Sequence, residues 1–143
     1  MRRRAAIRHP DGIDTSVLVA EPYAYAGRPI TVTIEQPEFT SLCPMTGLPD
    51  FGTVTVAYEP RERIVELKSF KLYLLEYRSV GIFYEHAVVR IISDLAALLD
   101  PVHMKVSIRY APRGGIATTV EAEHPSVTSR RPARRTRRSR YTS

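Results

Sequence analysis

The chain predicts an α+β fold: an antiparallel four-stranded sheet with two helices on one face. Three observations carry that prediction. Several short runs alternate apolar with polar residues and are rich in Val, Ile, Thr and Tyr, as half-buried strands are. Between them, residues 83–99 place Val88, Ile91, Ile92, Leu95, Leu98 and Leu99 on one helical stripe, with Arg90, Ser93 and Asp94 opposite. The order hairpin, two helices, hairpin then sets a helical layer on a sheet.

Residues 1–25 are polar and weakly patterned and read as a loose arm. Residues 30–34 alternate and read as a strand closed by Pro37. Residues 38–50 read as a shaped loop, because prolines and a glycine follow Cys43. Residues 53–58 alternate again, 59–62 turn, and 64–67 return as the hairpin partner. Leucines and aromatics at helical spacing predict a short helix over 69–77, broken at Ser79-Val80-Gly81. The long helix follows, and Asp100-Pro101 stops it. Residues 102–110 read as a core strand, Pro112-Arg113-Gly114-Gly115 as a turn, and 116–122 as the last strand. The domain thus spans 26–123, and residues 124–143 read as a disordered Arg-rich tail. Such a sheet has open edges, which subunit association would cover.

Composition narrows the possible functions. The chain has 143 residues, enough for one domain with a core, and 43% are hydrophobic. No apolar run reaches the roughly 18 residues of a membrane span, and no apolar segment follows Arg2-Arg3-Arg4 to make a signal peptide. A single cysteine forms no internal disulfide, so a cytoplasmic location is expected. The net charge of +6 belongs to the tail: residues 129–143 hold seven arginines and no acid. Without those arginines, 14 basic residues face 15 acidic ones, a net of −1. The basic pI is therefore no guide to the partner of the domain. The tail itself suits phosphate backbones without sequence preference, but Tyr141 is its one aromatic, which serves base stacking poorly.

Cys43 is either an inert small hydrophobe or a nucleophile, and Asp50, seven positions on, is either a turn carboxylate or a proton donor. On these residues alone the inert reading is the ordinary one. Glu85 stands in the first turn of the long helix, where an acid complements the dipole. Lys68, Lys71 and Arg113 are either solvated charges or contacts for a phosphate. No Gly-x-Gly-x-x-Gly follows a strand, so no Rossmann site is expected. His9, His86, His103 and His124 are scattered at no metal-ligand spacing, so no metal is expected.

Four blocks carry a resemblance to a known family. Glu66-Leu67-Lys68-Ser69-Phe70-Lys71-Leu72-Tyr73 resembles the signature of the NADPH-dependent 7-cyano-7-deazaguanine reductases, the nitrile reductases of queuosine biosynthesis. Phe39-Thr40-Ser41-Leu42-Cys43-Pro44 with Asp50 is similar to their catalytic loop. Gly81-Ile82-Phe83-Tyr84-Glu85 and Pro112-Arg113-Gly114-Gly115-Ile116 resemble two further blocks, in family order over residues 38–117. The resemblance implies a tunnelling fold, shared with GTP cyclohydrolase I, built into an oligomeric barrel, a pentamer or decamer. It implies Cys43 as nucleophile and Asp50 as proton donor. It implies a 7-deazapurine substrate held by Val65, Glu66, Leu67, Tyr84 and Glu85, with Glu85 a buried acceptor for a guanine-like edge. It implies NADPH held by Lys68, Lys71 and Arg113. Tyr84 departs from the family pattern, because many relatives carry histidine there. Absent metal ligands weigh against a zinc-dependent cyclohydrolase, and the neutral domain weighs against a nucleic-acid-binding module.

Overall fold

Two β-hairpins laid side by side make the main sheet, and each forms because its strands alternate. The computed structural model describes residues 6–126. β1 is a short strand, Ala20–Pro22. β2 (Val32–Leu42) pairs with β3 (Pro49–Glu59). After β4 (Arg63–Val65) come α1 (Leu67–Leu75) and α2 (Tyr84–Leu99). The second hairpin pairs β5 (His103–Arg113) with β6 (Ile116–His124). β3 and β5 join antiparallel at the centre, so the order is β2-β3-β5-β6.

Val54, Val56 and Tyr58 of β3 and Met104, Val106, Ile108 and Tyr110 of β5 are buried on one face of this sheet. Lys105 and Arg109 turn outward between them, as a period of two requires. The apolar stripe of α2 lies in the same core, with Val88, Ile91, Ile92, Leu95 and Leu99 all buried. Phe70, Tyr73 and Leu74 bring α1 into it. Each large aliphatic side chain buried there contributes about 1.5–3 kcal/mol. The fold is therefore α+β, with an antiparallel sheet and few helices, as expected.

Three expectations need correction. The hairpin between residues 53–58 and 64–67 does not form. Both edges of β3 are taken, by β2 and β5, so β4 peels away and pairs with β1 in a separate two-stranded ribbon. The loop expected over 38–50 is shorter than its prolines suggest. β2 runs on to Leu42 and passes Pro37 at a register shift between Gln36 and Phe39. A proline lacks an N–H and is tolerated at such a bulge on an edge strand. The arm is not loose over residues 8–22. Two short 3-10 turns, Pro10–Gly12 and Thr15–Val17, fold it back, and Ile13 and Leu18 enter the core. The guanidinium of Arg90 donates to the carbonyls of Pro10 at 3.1 Å and Ile13 at 3.5 Å. Of the expected arm and tail, residues 1–5 and 127–143 lie outside the described residues.

One polar network ties these layers together. Asp94 accepts from the Tyr73 hydroxyl at 2.5 Å and from Arg90 Nε at 2.8 Å. The Tyr73 and Tyr77 hydroxyls meet at 2.8 Å, both buried. Burial and the Asp94 carboxylate push the Tyr73 phenol up, so it stays a neutral donor. Asp94→Ala leaves Tyr73 and Arg90 without their acceptor and should cost about 2–3 kcal/mol. Urea unfolding checks this, and a midpoint equal to that of the wild type would contradict it.

Candidate active site

The turn between β2 and β3 gathers the reactive groups. The pair Leu42↔Pro49 closes the strands, leaving residues 43–48 as the loop. The Cys43 N–H donates to the Leu48 carbonyl at 2.9 Å, and the Gly47 N–H to the Cys43 carbonyl at 2.8 Å. Gly47 sits at φ 71, a left-handed conformation that suits a residue without Cβ. On the outgoing strand Asp50 alternates inward and is only 3% exposed.

A second segment brings the helix to this loop. Residues 80–82 run parallel to Leu42, with Leu42 N–H donating to Val80 O and Ile82 N–H to Leu42 O, both at 3.0 Å. They lead straight into α2, whose first turn carries Tyr84 and Glu85. The β5–β6 end brings Arg113 from the other side. Asp50 Oδ1 accepts from both, from Tyr84 Oη at 2.9 Å and from Arg113 Nη1 at 2.6 Å. The Tyr84 ring stacks on the buried Tyr110 ring, with centroids 3.7 Å apart and planes 14° from parallel. Cys43, Asp50, Tyr84, Glu85 and Arg113, with Ile82 and Phe83, line a pocket of about 280 Å³. That volume lies near the lower bound for ligand pockets and suits a small ring system.

The electrostatics favour a reactive thiol. The Thr46 hydroxyl, then the amides of Thr46 and Met45, hold the Cys43 thiol below the usual thiol range. The Asp50 carboxylate opposes this more weakly. Burial and the bond to Asp50 push the Tyr84 phenol up, so it donates as a neutral group. Burial does the same for Tyr110. The Asp50 carboxylate holds the Arg113 guanidinium charged.

The structure unites only part of the predicted set. Cys43, Asp50, Tyr84, Glu85 and Arg113 meet in one pocket; Val65, Glu66, Leu67, Lys68 and Lys71 do not reach it within one protomer. Val65 is buried, and its N–H donates to the Tyr58 hydroxyl at 3.1 Å. The Glu66 carboxylate caps α1, accepting from Lys68 N–H at 2.9 Å and Ser69 N–H at 2.6 Å. Leu67 and Lys68 are exposed. Lys71 flanks a separate groove of about 590 Å³, shared with Arg78 and the β2 residues Gln36 and Glu38. Glu85, expected to be buried, is exposed in the single chain. Sequence reasoning missed Thr46, Tyr110 and Arg78. Tyr110 was findable, because it faces inward by alternation on β5 next to the Arg113 block.

Residues 49–129 match a family described as QueF-like protein. A protein of Caldicellulosiruptor bescii named NADPH-dependent 7-cyano-7-deazaguanine reductase is 48% identical over 123 residues, covering 86% of this chain and 94% of that one. The chain belongs to the QueF-like family. A relative of the same name from Chlorobium phaeovibrioides is 53% identical over 100 residues, 70% of this chain and 86% of its own. Among solved structures, the archaeosine synthase QueF-Like in its apo form superposes with a TM-score of 0.63 at 27% identity. It covers 67% of this chain and 94% of its own. The resemblance drawn from residues 38–117 is thereby borne out for this QueF-like chain.

The thiol makes a direct prediction. Alkylation by iodoacetamide follows the thiolate, so its rate should rise with pH about a midpoint below the ordinary thiol value of about 8.5. Thr46→Val should move that midpoint up. Asp50→Asn should move it further down, because the opposing charge is gone. Rate profiles against pH that keep one midpoint in all three proteins would refute the assignment.

Proposed function

We propose that this chain is an oxidoreductase that reduces the nitrile of 7-cyano-7-deazaguanine to the primary amine of 7-aminomethyl-7-deazaguanine, using NADPH. The observation that carries this reading is the pocket itself: the chain's single thiol, held below its usual range, shares it with a buried carboxylate. The names of the relatives supply the substrate and cofactor.

A nitrile carbon accepts hydride poorly. Cys43 Sγ adds to that carbon while the nitrogen takes a proton, giving a covalent thioimide, which accepts hydride more readily. Asp50 is the proton donor: Tyr84 and Arg113 hold its Oδ1, leaving Oδ2 to take the proton that the Cys43 thiol gives up and pass it to the nitrogen. Glu85, at the pocket rim, offers two acceptor oxygens to the N–H and amino groups of the guanine-like edge. Two NADPH molecules would supply one hydride each, with a proton accompanying each reduction: after the first, the C–S bond breaks and releases Cys43, and the resulting imine takes the second to give the amine. Lys68 and Lys71 fit its phosphates: both are exposed, and neither forms an ion pair among the described residues. Arg78 stands across the same groove as Lys71. Arg113 spends Nη1 on Asp50, so its part in holding the cofactor is the weaker one.

The assembly belongs to the same reading. Among the described residues β6 and, apart from Leu42, β2 have an unpaired outer edge, and Phe51, Leu72, Leu75, Val89 and Ile116 are exposed apolar side chains. A tunnelling-fold barrel, a pentamer or decamer, covers these surfaces and brings Val65, Glu66 and Leu67 of a neighbouring subunit to the exposed Glu85. No helix among the described residues is long and apolar enough to cross a membrane. A cytoplasmic setting suits the single free thiol.

Cys43→Ala should abolish both nitrile reduction and covalent adduct formation. Intact-mass measurement with the nitrile alone checks the second, and an active alanine variant would end the thioimide mechanism. Asp50→Asn should lower kcat by about 10²–10⁴-fold. Glu85→Gln should instead weaken substrate binding by about 10–10²-fold, since an amide then faces the purine's donors. Titration calorimetry separates these two failures. Because Cys43 and Glu85 of one chain line the same pocket, mixing the Cys43→Ala and Glu85→Gln proteins, at a substrate level where neither turns over alone, should restore no activity despite proven subunit exchange; recovery would place the two residues of one site in different chains.

A further inference from the structure

The N-terminal arm reaches the reactive loop at a point where its composition gives no warning. Arg8 extends the ladder described above by one member. Its N–H donates to Ser79 O at 2.7 Å, and Gly81 N–H donates to its carbonyl at 3.0 Å. Arg8 thus lies parallel beside residues 79–82 on one side, as Leu42 does on the other. The Arg8 guanidinium anchors this arrangement, donating to Glu76 at 2.9 Å and to the carbonyl of Gly12.

That ladder aims Ile7 at two glycines. A Cβ built on Gly81 would lie 2.7 Å from Ile7 Cγ2 and 3.4 Å from Pro44 Cα. A Cβ built on Gly47 would lie 3.0 Å from Ile7 Cδ1. The Ile7 side chain therefore fills a notch that exists because both residues lack a side chain. One wall of the notch is the Cys43 loop, and the other is the segment that carries Tyr84 and Glu85.

We infer that Ile7 is a positioning residue: as a strap across Gly47 and Gly81, it holds the Cys43 loop in the shape its chemistry needs. The inference rests on Cys43 being the nucleophile. Gly47 is bonded to the Cys43 carbonyl, so a side chain pressed on Gly47 bears on the turn whose residues 45 and 46 face the sulfur. Ile7 touches no reacting atom. It is 48% exposed, so its apolar cover contributes little to the core. Small displacements of a reactive group are costly, because a shift of about 1 Å can lose about 10²-fold in rate.

The test uses the full chain with Ile7→Ala, Ile7→Val and, as a control elsewhere in the arm, Leu18→Ala. Each protein is read for the pH midpoint of Cys43 alkylation by iodoacetamide, for kcat and KM, and for Tm. Ile7→Ala should move the midpoint up toward the ordinary thiol value and lower kcat by about tenfold or more, with KM little changed. Ile7→Val should restore both. Leu18→Ala should lower Tm and keep the midpoint. Ile7→Thr serves as a second variant should the alanine protein fail to fold. An unchanged midpoint and kcat in Ile7→Ala overturns the strap, as does an equal midpoint shift in Leu18→Ala. The alkylation readout does not depend on nitrile turnover. A Cys43→Ala protein that still reduces the nitrile would therefore refute the nucleophile reading, while the midpoint would still decide whether Ile7 sets the loop.

Discussion

The pairing of Leu42 with Pro49 is the constraint on which the rest of the site depends. It sets the loop length, and it sets the face on which Asp50 lands. A slip of one residue along β3 would turn Asp50 to the opposite side of the sheet and carry Val54, Val56 and Tyr58 out of the core. The cost of exposing those side chains protects the position of a carboxylate that contributes no apolar burial itself. Packing in the middle of the sheet therefore specifies the chemistry at its end.

A buried carboxylate is costly unless it is paired and hydrogen-bonded. Asp50 meets that condition with two donors from different parts of the chain, Tyr84 at the start of α2 and Arg113 at the end of β5. The Arg113 side chain is 39% exposed, so solvent screens the ion pair and its net contribution is modest. Tyr84 is held from behind by its stack on Tyr110. A histidine here would offer an N–H to the carboxylate and would also titrate near neutral pH. A phenol offers the same bond and keeps its proton, since burial and the bond to Asp50 push its ionisation up.

Much of this was legible in the sequence, for identifiable reasons. Period-two alternation located the inward residues of β3 and β5, and the stripe from Val88 to Leu99 located the face of α2. Cys43, Asp50, Tyr84, Glu85 and Arg113 were named from local blocks, and the fold brings all five to one pocket. Tertiary facts were not legible. Residues 64–67 look like a hairpin partner for 53–58 because the turn between them is short; only the sheet order shows that both edges of β3 are occupied. The arm looks loose because Ile13 and Leu18 are isolated apolar residues with no period, and the contacts that fold it back, such as Arg90 gathering the Pro10 and Ile13 carbonyls, are tertiary. Pro37 looks like a stop, and a bulge on an edge strand absorbs it.

The sheet order also bears on how the chain folds. β2 with β3 and β5 with β6 are local hairpins, but β3 meets β5 only across both helices. Local pairs close quickly, whereas a contact across a long loop must first meet the entropy of closure. Asp50 lies on the first hairpin, Arg113 on the second, and Tyr84 on the connection between them. The carboxylate clamp therefore completes only when the β3–β5 junction closes, and a partly folded chain carries Cys43 and Asp50 on one hairpin without the donors that hold Asp50.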